Sequence, residues 1–440
     1  MLSRVLPLLG VLAGLTGFAG AVVTATPHAS NAARPAHGEP RLAPVRAVFD
    51  TMSRIENGLT SANLSITSRM STHKITGLSL VIVENNAIKW KRGYGVRIAG
   101  SPTTRVSSST TFDAASVSKP LAAAAALRLV DQGRVSLTDT KVLGAVATRY
   151  VAAPRIAAFL NQFENAGDID LTRLLSHCAG VLSQTQVGNL RATSAQSFPL
   201  GSTLPSMGQQ LVGLSPASSN FKPVQTSALR PGSMFQYGGA SYLLVEAIID
   251  RYASNGFSAY TTDLFRDLGM SSSTFADYPL ISTVDAFRKG SRFARGHSGG
   301  VTRSQRNYAN HAAASLVTTT EDLARFLIMV NRNGIYNGSR VLSAASVRAL
   351  TGQSTNSRCA NRSIGRRTVM GLGMRSNDTG TRFHRGTHNG YRAYIFARPA
   401  NGWAMAVLMT GAGADADRFA PELFRSVESV YGFPNGTLIR

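Results

Sequence analysis

The stretch Asp113-Ala114-Ala115-Ser116-Val117-Ser118-Lys119-Pro120-Leu121-Ala122-Ala123-Ala124-Ala125-Ala126-Leu127-Arg128-Leu129-Val130 decides how this chain reads. It predicts a long apolar helix that opens with a serine and a lysine one turn apart. Residues three apart on a helix share a face. A hydroxyl and an amine so placed can share a proton when the amine is desolvated. The serine also sits where a helix start leaves free backbone N–H groups and a positive field, which favour developing negative charge. Lysine is scarce, 7 against 39 arginines, yet two other Ser-x-x-Lys spacings occur. Ser71–Lys74 runs into a strand pattern at Gly77–Val83, and Ser219–Lys222 is followed by Pro223 and more loop. Only Ser116–Lys119 opens a helix, with Pro120 tolerated in its first turn. In isolation these residues would be an N-cap serine and an ordinary helix-start lysine. The rest of the chain changes that weighting.

With 440 residues, 43% hydrophobic and 16% charged, the chain can bury a large core in one or two domains. Its net charge is +23, almost all from arginine. The arginines are scattered and form no basic run, so the charge points to anionic cell-envelope surfaces rather than to nucleic acid. Cys178 and Cys359 suit either free thiols or one disulfide. The eight histidines are dispersed and neither cysteine has a metal-ligand spacing, so no metal or cofactor is expected.

Met1-Leu2-Ser3-Arg4 is a short basic segment ahead of an apolar, Gly/Ala-rich run from Val5 to Val23. Val23-Thr24-Ala25 and Ser30-Asn31-Ala32 both fit a cleavage site, so residues 1–32 read as a secretory signal peptide or an uncleaved N-terminal anchor. The expected location is therefore exported, periplasmic or secreted. Residues 33–45 are a proline-rich linker, and residues 46–435 form the main domain. A helix is predicted from about Pro44 to Met70 by the apolar spacing of Val45, Val48, Phe49, Met52, Ile55 and Leu59. A hairpin follows, with strands at 77–83 and 87–95 around Asn85-Asn86. Residues from about 140 to 310 are irregular, with short helices. Late in the chain come a helix near 319–333, strands at Tyr391–Ala397 and Trp403–Met409, and a last helix from about Asp415 to Tyr431. Strands at both ends around a helical middle predict an α/β fold: a mainly antiparallel sheet flanked by helices, with an inserted all-helical subdomain.

Four islands fall in order: Ser116-x-x-Lys119, Leu174-Leu175-Ser176-His177-Cys178-Ala179-Gly180, Pro231-Gly232 through Tyr237-Gly238-Gly239, and His384-Arg385-Gly386-Thr387 with Gly390-Tyr391. Together they make residues 46–432 resemble the serine β-lactamase-related superfamily, closest to its class C β-lactamase, D-alanyl-D-alanine carboxypeptidase and esterase branch. Ala313 to Phe326 also resembles the segment before that family's late helix. The resemblance implies an α/β sheet domain plus a helical domain, with the site between them.

It also implies roles. Acyl transfer needs an activated hydroxyl, here Ser116. Lys119 and Tyr237 would relay its proton, Tyr237 matching the tyrosine of the family's Tyr-x-Asn motif. The backbone N–H groups of Ser116 and Thr387 would hold the oxyanion. His384 stands where β-lactamases carry the lysine of Lys-Thr-Gly, as in the esterase-like branch. Gly386 would keep its strand bare for a substrate backbone. One position departs: the asparagine of Tyr-x-Asn is Gly239, which leans the reading toward ester, small-amide or acyl-transfer chemistry. Gln236 could substitute only in part, since it points the other way in an extended segment. Taken singly, Tyr237 and Tyr242 would be core aromatics, as would Trp90 and Trp403. His177 would shape its loop, and His388 is a local rival to His384.

The expected protein is thus an exported serine hydrolase using an acyl-enzyme on Ser116. Its substrate would be a small ester or amide, or one derived from peptidoglycan. The alternative is a cell-envelope binding or scaffold protein that keeps the fold without the activity.

Overall fold

The computed structural model describes residues 43–59, 63–163, 165–182, 197–200, 202–213, 224–226, 230–275, 292–353 and 368–438. The chain divides into Met1–Pro44 and Val45–Arg440, and the second unit carries everything that follows. The N-terminal apolar run and Cys359 lie outside the described residues. Cys178 is disulfide-bonded.

Seven strands build the main sheet: β1 (Gly77–Glu84), β2 (Ala87–Gly95), β3 (Thr368–Met370), β4 (Arg375–Asn377), β5 (Arg382–His388), β6 (Tyr391–Arg398) and β7 (Trp403–Thr410). Their spatial order is β3-β4-β5-β6-β7-β1-β2, and every pairing is antiparallel. Early and late strands meet at β1–β7, from Gly77 opposite Thr410 to Val83 opposite Ala404. The helices that bear on the site are α1 (Ala43–Asn57), α2 (Ser118–Asp131), α3 (Leu171–Leu175), α4 (Ala240–Tyr252), α5 (His311–Ala314), α6 (Thr320–Asn331) and α7 (Gly413–Tyr431).

Both faces of the sheet are covered, which explains why β1 and β7 read as unbroken apolar runs. Successive side chains on a strand point to opposite faces. Val81 and Val83 of β1 join Ala404, Ala406 and Leu408 of β7 in the core shared with α2, α4 and α6. Leu78, Leu80 and Ile82 join Trp403, Met405, Val407 and Met409 in a second core with Phe419, Leu423 and Val427 of α7. Trp403 is buried there, and Trp90 packs half-buried on the same cluster. The turn between β1 and β2 places Asn85 and Asn86 at φ +51° and +59°, the left-handed pair that a two-residue hairpin requires.

The single helix expected from 44 to 70 is two helices. α1 stops at Asn57-Gly58, Leu59 and Leu64 pair as a bridge, and Ser65 caps a new helix at Ile66–Thr72 by accepting from the Ser68 N–H. Apolar periodicity continued across the break because Leu59 and Ile66 enter the same core. Glycine and a strong N-cap outweighed the pattern.

Helix α2 is buried on almost all sides. A helix that is apolar all round belongs inside a protein. Its alanine run lets α4, α5 and the helix Ala344–Leu350 approach closely. None of the helices among the described residues is long and apolar enough to cross a membrane.

Candidate active site

Ser116 does not cap α2. It lies in a short 3-10 turn, Ala115–Val117, and the residue at the helix cap is Val117, with no side-chain capping bond. The turn is held from outside. Ser118 Oγ donates to the Ala115 carbonyl at 2.6 Å and accepts from the Leu316 N–H at 3.0 Å. The Ala114 N–H donates to the Leu316 carbonyl at 2.8 Å. Ala115, just before the serine, has φ +50°. That left-handed conformation is uncommon for a side chain larger than hydrogen and persists where surrounding contacts enforce it. Ser116 emerges partly exposed between buried neighbours.

Lys119 is 3% exposed, and its amine lies 3.1 Å from Ser116 Oγ. It also donates to the Ala313 carbonyl of α5 at 2.8 Å. The amine is 5.0 Å from the ring centre of Tyr237 and 5.7 Å from that of Tyr242. Two aromatic faces thus line the cavity that holds it, a setting that attracts a cation.

Tyr237 arrives on an irregular segment tied to His177. The Gln236 N–H donates to the His177 carbonyl at 2.8 Å, and the Gly238 N–H to His177 Nδ1 at 3.4 Å. The imidazole packs tilted against Tyr237, with ring centres 4.4 Å apart, and against Tyr242 at 5.1 Å. Since Nδ1 accepts, Nε2 carries the ring proton. Burial holds this imidazole well below its usual pKa, and the charges of Lys119 and Arg375 push the same way. His177 is therefore a neutral support for the tyrosine. Tyr242 is fully buried and donates to the Leu175 carbonyl at 3.2 Å, a core residue as expected.

Strand β5 forms the opposite wall. Its partner β4 reaches only to Arg375 opposite Phe383, so from His384 onward its outer edge has no strand beside it among the described residues. Gly386 sits where that edge meets the serine turn. A Cβ there would run into the Ala114 carbonyl oxygen and lie 3.0 Å from the Ser116 nitrogen. The protein's own backbone takes the space, and the close approach brings Thr387 beside the serine turn. Thr387 is exposed at this edge.

His384 is 2% exposed, and its Nδ1 faces the Arg385 carbonyl at 2.9 Å. A carbonyl only accepts, so Nδ1 is protonated and Nε2 is a bare acceptor, buried with no hydrogen-bond partner. Burial holds this imidazole too well below its usual pKa, with Arg375, Lys119 and His177 adding to the effect. Its ring is 6.3 Å from that of Tyr237. His388, the local rival, stacks on Tyr308 at 3.8 Å. Gly239 lies two residues after Tyr237 at the start of α4, and the Oε1 of Gln236 is buried with no hydrogen-bond partner.

Sequence reasoning missed Arg375. Its guanidinium lies 5.8 Å from the Tyr237 ring centre, its Nε is buried without a partner, and no carboxylate pairs with it among the described residues. Burial lowers its pKa. β4 spans three residues, too short to read from alternation, so nothing marked this arginine among the others. Ala313 acts through its backbone carbonyl, which leaves no residue-type signal. Among the described residues, no cluster of side chains fits a metal ion.

Comparison with known proteins agrees with this architecture. The chain is 22% identical over 343 residues to Protein flp of Staphylococcus aureus strain MW2, covering 76% of this chain and 59% of that protein. It thus spans well under two thirds of that relative's length. Among solved structures, the octameric penicillin-binding protein homologue from Pyrococcus abyssi superposes with a TM-score of 0.61 at 17% identity, covering 85% of this chain and 77% of that one. SurE with D-Leu gives 0.62 at 19%, covering 88% and 76%. The D-amino acid amidase from Ochrobactrum anthropi SV3 gives 0.61 at 16%, covering 87% and 99%. These likenesses establish the fold. The family profile described as Beta-lactamase matches residues 63–426, and with that match the chain belongs to the beta-lactamase family.

Proposed function

We propose that this protein is an exported serine hydrolase that works through an acyl-enzyme on Ser116. The observation that carries the reading is the buried Lys119 amine 3.1 Å from Ser116 Oγ. In the proposed cycle, Lys119 takes the serine proton as Oγ attacks a substrate carbonyl. The backbone N–H groups of Ser116 and Thr387 receive the oxyanion. Collapse breaks the bond to the leaving alcohol or amine, which is protonated from Lys119 through the Tyr237 phenol. Water then enters by the reverse path and releases the acid.

Arg375 brings a guanidinium to the site with no carboxylate paired to it among the described residues, and both nearby imidazoles are neutral. A positive, partly enclosed cleft favours a substrate that brings negative charge. We therefore assign the substrate to small esters or amides that carry a carboxylate, a class that includes peptidoglycan-derived D-alanyl peptides. The chain's positive charge suits work at an anionic envelope surface.

Replacing Ser116→Ala should abolish p-nitrophenyl acetate hydrolysis and fluorophosphonate labelling. A labelled mutant would overturn the assignment, and an unlabelled, inactive wild type would favour a binding or scaffold role. Arg375→Gln should raise KM about 10- to 100-fold for carboxylate-bearing substrates, the range for one charge-assisted pair, and leave the neutral ester nearly unchanged. Equal losses on both substrates would remove the anionic-substrate assignment.

A further inference from the structure

The position two residues after Tyr237 has no side chain, although its backbone does not demand glycine. Gly239 has φ −75° and ψ −32°, ordinary helical values. Another amide occupies the space beside it. A Cβ at Gly239 would lie 3.4 Å from Nδ2 of Asn310 and 4.0 Å from Cβ of Ala313. Asn310 Nδ2 donates to the Gly239 carbonyl at 2.7 Å. A methyl would just fit there; an asparagine side chain would compete with the amide already present.

Asn310 immediately precedes α5, where an asparagine usually turns back to cap its own helix. It makes no such bond. Glu246 of α4 does that work instead. Its Oε2 accepts from the Ala312 N–H at 2.9 Å, and its Oε1 faces His311 Nδ1 at 2.8 Å. The Asn310 amide is thereby released toward Gly239. Asn310 is 7% exposed, and its Oδ1 is buried with no hydrogen-bond partner. Buried acceptors are nearly always paired, so this one needs a donor.

The same turn of chain supplies the Ala313 carbonyl that holds Lys119. A lysine ammonium has three N–H groups. Ser116 Oγ and the Ala313 carbonyl account for two of them. We propose that Asn310 is a positioning residue for Lys119. Its Oδ1, not bonded to Nζ in this structure, moves to take the third N–H of the ammonium formed when the Ser116 O–H bond breaks and the proton moves to Nζ. Its Nδ2 meanwhile fixes the Gly239 carbonyl behind Tyr237. The amide that Gly239 lacks is thus delivered from a segment about seventy residues further along, at Asn310. This inference rests on the acyl-serine reading above.

The test compares wild type, Asn310→Ala, and the double variant Gly239→Asn with Asn310→Gly, which moves the amide to the tyrosine segment. Asn310→Ala should lower kcat for p-nitrophenyl acetate about 10- to 100-fold, as loss of one hydrogen bond to a charged group does, with KM within about threefold. It should also move the acid limb of the pH–rate profile to lower pH, because a buried amine that loses an acceptor sheds its proton more readily. The double variant should recover most of kcat and the wild-type limb. Wild-type kcat and pH profile in Asn310→Ala would overturn the inference. So would a folded double variant no better than the single one, or loss of fold in both, which would mark the amide as structural. Fluorophosphonate labelling separates the two readings. An unlabelled wild type defeats the acyl-serine cycle itself, whereas a labelled wild type with unchanged variants defeats only the role of Asn310.

Discussion

Ser116 and Lys119 lie one helical turn apart on a turn that Leu316 pins from outside, whereas Tyr237 sits on a segment whose pose comes from His177. The first pair is set by helical spacing and brought to 3.1 Å within four residues. The tyrosine segment has no regular structure before α4 begins at Ala240. Its pose comes from His177, through bonds from the Gln236 and Gly238 N–H groups and a ring packed against it at a tilt. Helical spacing sets the serine–lysine separation, while contacts from distant segments hold both the turn and the tyrosine segment. The two halves of the site should therefore respond differently to perturbation.

The largest difference should come from Lys119→Ala. It removes the proposed base and the bond to the Ala313 carbonyl, yet the turn keeps its Ser118, Ala114 and Leu316 bonds. Acylation of Ser116 should fall on the order of 10³-fold, within the range for a positioned proton-transfer group. Burst kinetics with p-nitrophenyl acetate measures this. A loss under about tenfold, below that range, would mean that Lys119 is not the base.

Acid should loosen the tyrosine half before the lysine turn. His177 and His384 are held neutral well below the usual histidine pKa, and His297 is lowered to about 4 by burial. A histidine whose folded pKa is depressed binds fewer protons folded than unfolded below about pH 6.5, so stability falls as pH drops through that value. Each such group contributes at most about 1.4 kcal/mol per pH unit in that window. Thermal unfolding from pH 7 to pH 5 should show a falling midpoint, with a shallower slope in His177→Gln. A midpoint flat across that range would contradict neutral burial of these rings.

The smallest effect should be at Ala115. Its left-handed backbone costs about 1–2 kcal/mol for an L-residue, and glycine would relieve that. Glycine adds an unfolded-state entropy of about 0.5–1 kcal/mol that offsets the gain. Ala115→Gly should therefore shift stability by less than about 1 kcal/mol and keep most activity, as a melting curve and an esterase assay would show. A large loss of activity at unchanged stability would show that the alanine side chain itself helps to aim Ser116.

Legibility followed the same division. The hairpin at 77–95, the β6 and β7 strands and helix α2 could be read because apolar period and turn residues agreed. The break at Gly58 was hidden because both flanking segments feed one core. Strand β4 was too short to carry a period, which hid Arg375. Asn310 gave no signal because its value lies in a glycine opposite it, a relation between two segments that neither shows alone.

By itself, the sequence determined an antiparallel sheet joined from both ends of the chain, a buried alanine-rich helix, and a serine and lysine one turn apart. Those features follow from periodicities of two and three to four residues, which a linear string records. Tertiary structure alone decided that Gly386 makes way for the Ala114 carbonyl, that His177 carries Tyr237, and that the amide beside Gly239 comes from Asn310. These depend on the volume left between packed segments, which no single stretch of chain specifies.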